Sequence, residues 1–346
     1  MKTRAAILYK LNSPLEIHNV EIPPLRRGQV LVKILYSGVC RAQFNEMIGL
    51  KGPDRFLPHL LGHEASGIVE EVGPDVVKVK RGDYAVLSWI KGAGIEAGPT
   101  QYQNARHTIN AGAVTTFSDY SVVSENRVTK ISRKIPPDIA SILGCAVATG
   151  SGIIHNTLNA APGSSIAIFG VGGIGSSIIL AARRKGCSQI IAVDISKTKL
   201  ATAKSLGATD AVLAGPDGSS VLKTLKRIAP DGVDYSVDAS GARIAMETAF
   251  EILKTTGTCV IAGNLSKDEK ISLHPFELIK GKRIIGTWGG ETSPEKDFRR
   301  YARDFLRGEL PIGRLITHRL RLEEINRAFE LLQSGGAGRI VIKMNS

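Results

Sequence analysis

The sequence predicts an α/β chain in two parts: a β-rich, strongly curved, barrel-like unit, then a doubly wound parallel sheet. Three observations carry this. The 346 residues exceed what one hydrophobic core usually serves. Up to about residue 130 the apolar pieces are short and punctuated by Gly and Pro. Further on, strand-like runs alternate with amphipathic stretches of ten to fifteen residues, the texture of strand–helix–strand units.

In order, "QVLVKILYSGV" (29–39), "SGIVEEVG" (66–73), "GDYAVLSW" (82–89) and "FSDYSVVSENRVTKI" (117–131) read as strands. "PPDIASILGCAVATGSGIIHNTL", from about 136, has helical apolar spacing behind a starting proline. Then "SSIAIFG" precedes helical "GIGSSIILAARRKG", "QIIAVDI" precedes "KTKLATAKSLGA", and "AVLAG" precedes "SSVLKTLKRIA". "VDYSVDAS" precedes "RIAMETAFEILKTTG", and "TCVIAG" and "RIIGTWGG" follow as strands. Past Gly290 come two helices, "PEKDFRRYARDFLRG" and "LEEINRAFELLQSG", and a closing strand, "GRIVIKM", expected to rejoin the first part.

Composition narrows the function. With 43% hydrophobic and 22% charged residues this is an ordinary globular chain. Its basic start lacks the apolar core and cleavage site of a signal peptide, and no apolar run reaches a membrane span. A cytoplasmic protein is expected, its four cysteines thiols or metal ligands rather than a disulfide framework. The net charge of +13 admits nucleic-acid binding, but Lys and Arg are scattered among apolar residues. An attraction for an anionic cofactor or substrate fits better.

"IAIFGVGGIG" puts Gly170, Gly172 and Gly175 in G-x-G-x-x-G spacing between a strand and a helix. Such glycines permit a tight turn, close approach of pyrophosphate to backbone, and close helix–strand packing. Asp194 ends the next strand nineteen residues later, where a carboxylate holds both ribose hydroxyls and repels a 2′-phosphate. NAD is therefore expected over NADP.

Cys40 in "SGVC", His63 and Glu64 in "LLGHEASG", and Cys145 in "ILGCAV" offer thiolate, imidazole and carboxylate donors. Zinc takes such ligands, and a catalytic site keeps one position open; isolated cysteines also occur simply as buried hydrophobes. Cys187 and Cys259 read as core, and the other histidines, His59 among them, show no partner pattern.

These motifs together resemble the zinc-dependent medium-chain alcohol dehydrogenases almost end to end, closest to the classical and glutathione-dependent formaldehyde dehydrogenase branch. The resemblance implies a GroES-like catalytic domain (1–148 and 289–346) around a Rossmann cofactor domain (149–288). It makes Cys40, His63 and Cys145 ligands of one catalytic zinc, with Glu64 a carboxylate able to reach the metal. It sets Arg41 and Arg339 at pyrophosphate, Asp194 and Lys199 at the adenosine ribose, and Thr149 and Ile174 at nicotinamide. Trp89 and Phe117 would wall the pocket of a small alcohol or carbonyl substrate. A homodimer or homotetramer, joined by edge pairing of the cofactor sheets, is also implied.

The chain departs from the family twice. The four cysteines of a structural zinc are absent from "WIKGAGIEAGPTQYQNARHTINAGAV", so that lobe must be held by packing or be mobile. Ala42, Gln43 and Asn45 replace the usual hydroxyl relay, the acidic residue that orients the ligating histidine, and a terminal base. Gln43 could still accept from His63 but brings no charge, leaving the metal more electrophilic. Reversible alcohol oxidation by an unusual proton path is the leading reading. A reductase of activated C=C bonds and a non-catalytic dinucleotide-binding protein are the alternatives.

Overall fold

The computed structural model describes residues 1–215, 219–266 and 268–345. It divides into two compact units, Met1–Cys145 with Ser293–Glu309 and Ile316–Ser346, and Ala146–Thr292 with Leu310–Leu315. Among the described residues no helix is long and apolar enough to cross a membrane.

The first unit opens with β1 (Lys2–Leu8), β2 (Glu16–Glu21), β3 (Gln29–Val39), α1 (Arg41–Met47), β4 (His59–Leu60) and β5 (Glu64–Val72). It continues through β6 (Tyr84–Ser88), β7 (Thr100–Gln103), β8 (Thr108–Ala111), β9 (Tyr120–Ser124), β10 (Val128–Lys130) and α2 (Pro137–Ser141). Strands β1, β2, β7, β8 and β4 close into a barrel. The long β3 pairs antiparallel with β5 and β9, and register shifts against β5 at Leu31/Val32 and Ile34/Tyr36 bend it sharply. The barrel-like unit expected from the short, glycine-broken strands is present.

The second unit holds α3 (Ala148–Gly152), β11 (Ser165–Phe169), α4 (Gly173–Lys185), β12 (Gln189–Asp194), α5 (Lys197–Leu206), β13 (Asp210–Leu213) and α6 (Ser219–Ile228). Then come β14 (Val233–Asp238), α7 (Arg243–Glu251), β15 (Leu253–Ile261), α8 (Pro275–Lys280) and β16 (Arg283–Gly286). Its six strands run β13-β12-β11-β14-β15-β16, every neighbouring pair parallel. This is the Rossmann order, with the topological switch between β11 and β14. Strand β11, SIAIF, is buried at every residue, as a strand covered on both faces must be. Two expectations need correction. The helix expected to run through "LKTTG" stops at Glu251, because Leu253 pairs with Val233 and β15 begins there. The helix expected over about 137–158 is broken into short pieces, in a stretch whose glycines at 144, 150 and 152 weaken helical propensity.

The chain then contributes α9 (Pro294–Leu306), β17 (Ile316–Arg321), α10 (Ile325–Gln333) and β18 (Arg339–Lys343) to the first unit. As expected, β18 joins it, pairing Ile340 with Val39 of β3. β17, which has no clear sequence signal, lies parallel beside β18. Helix α10 delivers Phe329 to a core where its ring meets Phe44 and Phe117, with centroids 6.3 and 6.2 Å away.

The lobe without cysteines is held by charge on backbone. Glu125, fully buried, accepts from the N–H groups of Val77 and Lys78 on one oxygen and of Ile95 on the other, at 2.7–2.8 Å. Lys78 Nζ reaches the Ala93 carbonyl at 3.0 Å and Glu295 at 2.5 Å, and Glu295 accepts from the Ala93 N–H at 3.0 Å. The following hairpin, β7 and β8, is part of the barrel, its Tyr102 buried with the hydroxyl taking the Val122 N–H.

Candidate active site

Strand β3 ends at Val39, and Cys40 stands at the start of α1, its N–H donating to Gln43 Oε1 at 3.0 Å. His63 immediately precedes β5, and Cys145 lies in the helical segment after α2. One donor atom from each of Cys40, His63 and Cys145 lies within 4.8 Å of the others, with the two sulfurs 4.0 Å apart and unbonded. Sulfurs bound tetrahedrally to zinc at about 2.3 Å stand about 3.8 Å apart. His63 Nε2 is buried without a hydrogen-bond partner, an orphan acceptor or donor that a metal ligand explains. The donor set therefore fits zinc.

Proximity makes the two thiols unequal. The Cys40 thiol is held well below its ordinary value, chiefly by the Cys145 thiol that can donate to it, then by His63 and Arg339, against the burial that opposes it. Cys145 is pushed well above its own, by the proton shared with Cys40 and by burial. Trp89 bonds the Cys145 side chain. Beside this trio Glu64, fully buried, forms an ion pair with Arg339, which is 4% exposed; the second carboxylate oxygen has no partner. Gly38 is required there: a Cβ would stand 2.5 Å from Glu64 Oε1 and 2.9 Å from the Arg339 guanidinium.

In the second unit, Gly170 takes φ 86° and a Cβ there would meet Ser240 at 2.8 Å. At Gly172 a Cβ would meet nothing within 4 Å, whereas at Gly175 it would press on the Gly170 carbonyl at 2.0 Å. The middle glycine thus opens space at the N-terminus of α4, and the third packs helix on strand. Asp194, 8% exposed, accepts from Val171 N–H at 2.8 Å and Ser196 N–H at 2.9 Å, which fixes its carboxylate beside this turn. Ile174 sits in the first turn of α4, Lys199 in that of α5, and Thr149 is buried in α3. Arg41 is exposed on α1, over the Phe44 ring and bonded to the Leu332 carbonyl.

Two expectations change. Phe117 does not wall a pocket: it is 1% exposed, edge-on to Phe329 in the core. Gln43 does not orient His63, because its oxygen caps the Cys40 N–H and its buried Nε2 has no partner. Arg339, which the resemblance sets at pyrophosphate, is paired with Glu64.

Sequence reasoning also missed a second cluster. His59, 6% exposed, lies with Nε2 2.8 Å from Asp54 Oδ2 and 4.0 Å from Glu46 Oε1. Its partners come from α1 and the loop after it, with no periodic spacing to betray them. A cavity of about 1000 Å³ in the first unit is lined by His63, Gln43, Glu46, Asp54, Phe56 and His59.

Comparison with known proteins matches residues 26–133 to the alcohol dehydrogenase GroES-like domain and residues 173–307 to the zinc-binding dehydrogenase family. The chain is 32% identical to an S-(hydroxymethyl)glutathione dehydrogenase of Synechocystis, covering 99% of this chain and all of that one. It is 33% identical to a class-3 alcohol dehydrogenase of Pisum sativum, over 99% and 97% of the two chains. Among solved structures, an alcohol dehydrogenase zinc-binding domain protein of Burkholderia ambifaria gives a TM-score of 0.91 at 28% identity, with both chains fully covered. Benzyl alcohol dehydrogenase of Acinetobacter calcoaceticus gives 0.88 at 26%, also over both whole chains. With both family domains matched and full-length relatives above 30% identity, this chain belongs to the zinc-dependent medium-chain alcohol dehydrogenases, in the glutathione-dependent branch.

Proposed function

We propose that the chain interconverts an alcohol and its aldehyde or ketone, using one zinc ion held by Cys40, His63 and Cys145 and preferring NAD. The observation that carries the reading is the convergence of two thiol sulfurs and an imidazole nitrogen within 4.8 Å of one another. A zinc ion there would polarise the substrate oxygen as a Lewis acid, and a nicotinamide would take or give hydride. The chain's own residues set the conditions. Two thiolates balance the metal charge, and Gln43, uncharged, adds nothing to that balance where relatives place an acidic residue. Glu64 is kept next to the site by Arg339, one oxygen uncommitted. The fixed carboxylate of Asp194 beside the glycine turn favours a ribose with two free hydroxyls. Arg41, Lys199, Thr149 and Ile174 are proposed as further dinucleotide contacts, and Trp89 as a wall of the substrate pocket.

The test is NAD-linked oxidation of a panel of alcohols by zinc-loaded protein. Turnover with NAD at least about tenfold above NADP in kcat/KM is expected, a modest charge effect of about 1.4 kcal/mol; equal use of both would remove the role given to Asp194. A reductase of activated C=C bonds is the second reading, favoured by Ala42, which cannot hand a proton to a carbonyl oxygen. An enal substrate separates them: an allylic alcohol supports the first reading, a saturated aldehyde the second.

The partner proposed for assembly is a second copy. Strand β16 is an open edge of its sheet, and Phe276, Ile279, Ile285 and Trp288 around it are 54%, 78%, 37% and 80% exposed. An unpaired edge with apolar neighbours favours pairing with its own symmetry mate.

A further inference from the structure

We infer that His59, Asp54 and Glu46 are the proton reservoir of the reaction, taking over from the hydroxyl relay that α1 lacks; the inference rests on the dehydrogenase reading above. Ala42 can neither donate nor accept a proton through its side chain, and Asn45 has no titratable group. The one carboxylate on α1 is Glu46, one turn further on, and it faces the same cavity as His63.

The hydrogen bonds around His59 fix where its protons are. Nδ1 lies 3.0 Å from the Leu60 carbonyl oxygen, which only accepts, so Nδ1 carries a hydrogen. Nε2 then faces Asp54 Oδ2 at 2.8 Å, where two bare lone pairs would repel. One proton must lie between them, whether written as imidazolium with carboxylate or as imidazole with carboxylic acid. Asp54 is held for this by the Phe56 N–H on its other oxygen, 2.8 Å away. Glu46 Oε1 is 4.0 Å from the same nitrogen, and its Oε2 meets Lys51 at 2.6 Å. Lys51 is 56% exposed, so the cluster reaches from the buried His59 out to solvent. The other ionisable side chains lining this cavity are Arg26 and His63. Gln43 completes the wall with a buried amide nitrogen that has no partner and can donate to a water between His63 and the cluster.

In oxidation the substrate C–H bond would break with its electron pair, a bound oxidised nicotinamide being the hydride acceptor that the dehydrogenase reading supplies, and the carbonyl would form. The O–H bond breaks, and its proton passes through cavity water to Glu46 and the Asp54–His59 pair, then past Lys51 to solvent. Reduction runs the same path backwards, the shared proton being the one delivered.

A pair that merely folds the loop after α1 would behave differently in four variants of the zinc-loaded full chain: Asp54→Asn, Asp54→Glu, His59→Gln and Glu46→Gln. With zinc content and melting temperature unchanged, kcat for oxidation is expected to fall about 100-fold in Asp54→Asn and His59→Gln. The pH profile should shift, the solvent isotope effect on kcat should rise, and added imidazole or formate should restore part of the rate. Asp54→Glu should retain more activity than Asp54→Asn, and Glu46, half-buried on α1, carries the same test if Asp54→Asn fails to fold. Without dinucleotide, proton NMR of wild type should show a downfield His59 Nε2–H signal that Asp54→Asn abolishes. Folded variants with wild-type kcat, pH profile and isotope effect would overturn the proposal alone. A zinc-loaded wild type that turns over no alcohol would overturn the dehydrogenase reading, and this proposal with it.

Discussion

At the scale of single residues, the pair formed by Glu64 and Arg339 is the most exposed to test. Both are buried, and removing one partner leaves the other charged in a place that water does not reach. Burial pushes the Arg339 guanidinium down from its ordinary value while Cys40 holds it up, so it stays a cation serving two anions. Arg339→Met should therefore lower unfolding stability by about 3–5 kcal/mol in denaturant titration. Adding Glu64→Gln to it should recover part of that loss, because the orphaned charge is gone; a single variant within about 1 kcal/mol of wild type would contradict the pairing. Much of this site was legible as residue types: Cys40, His63, Glu64 and Cys145 were each flagged by chemistry and motif. What was not legible was direction. Nothing in "TFSDY" tells that Phe117 turns into the core, or that Gln43 bonds its own helix start rather than His63. The first choice depends on a neighbour about two hundred positions away, Phe329; the second is a local cap that competes with His63 for the same amide oxygen.

At the scale of elements, alternating apolar strands and amphipathic helices announced the Rossmann sheet, and β3, β5, β6 and β18 carried clear apolar patterns. The barrel strands β2, β7 and β8, polar on their outward positions and only four to six residues long, did not. The lobe without cysteines was left between packing and mobility, and the structure gives a third answer, a buried carboxylate bracketing three backbone N–H groups. Burial pushes Glu125 up, but those N–H groups and Lys78 outweigh it and leave it below its ordinary value. A depressed carboxylate contributes stability that is fully present above its unfolded value of about 4.3 and is lost as pH falls through the lower folded value. Glu295 is depressed too, with Lys78 and the Ala93 N–H overcoming its burial. Glu125→Ala should thus cost about 3 kcal/mol or more at neutral pH and open 91–98 to proteolysis. Below about pH 4 the gap to wild type in thermal melting should narrow. A gap that stays constant between neutral and acid pH would mean the carboxylate charge is not what holds the lobe.

At the scale of the whole molecule, the two units share one chain that leaves the first, builds the second and returns through β17 and β18. The return was readable because "GRIVIKM" is a strand with no partner left in the cofactor sheet. Assembly belongs to this scale as well. Sedimentation velocity should give twice the chain mass for wild type, and Ile279→Lys with Ile285→Lys should reduce it to one chain while leaving the fold intact. A monomeric wild type would remove the role given to the β16 edge.

The account stands most directly on the metal. Protein purified without chelators should hold about one zinc per chain by elemental analysis, consistent with a single three-ligand protein site. Cys40→Ala and His63→Ala should each lose it, and NAD-linked alcohol oxidation with it. Zinc-free wild type, or zinc retained in full by Cys40→Ala, would contradict the reading of Cys40, His63 and Cys145 as its ligands.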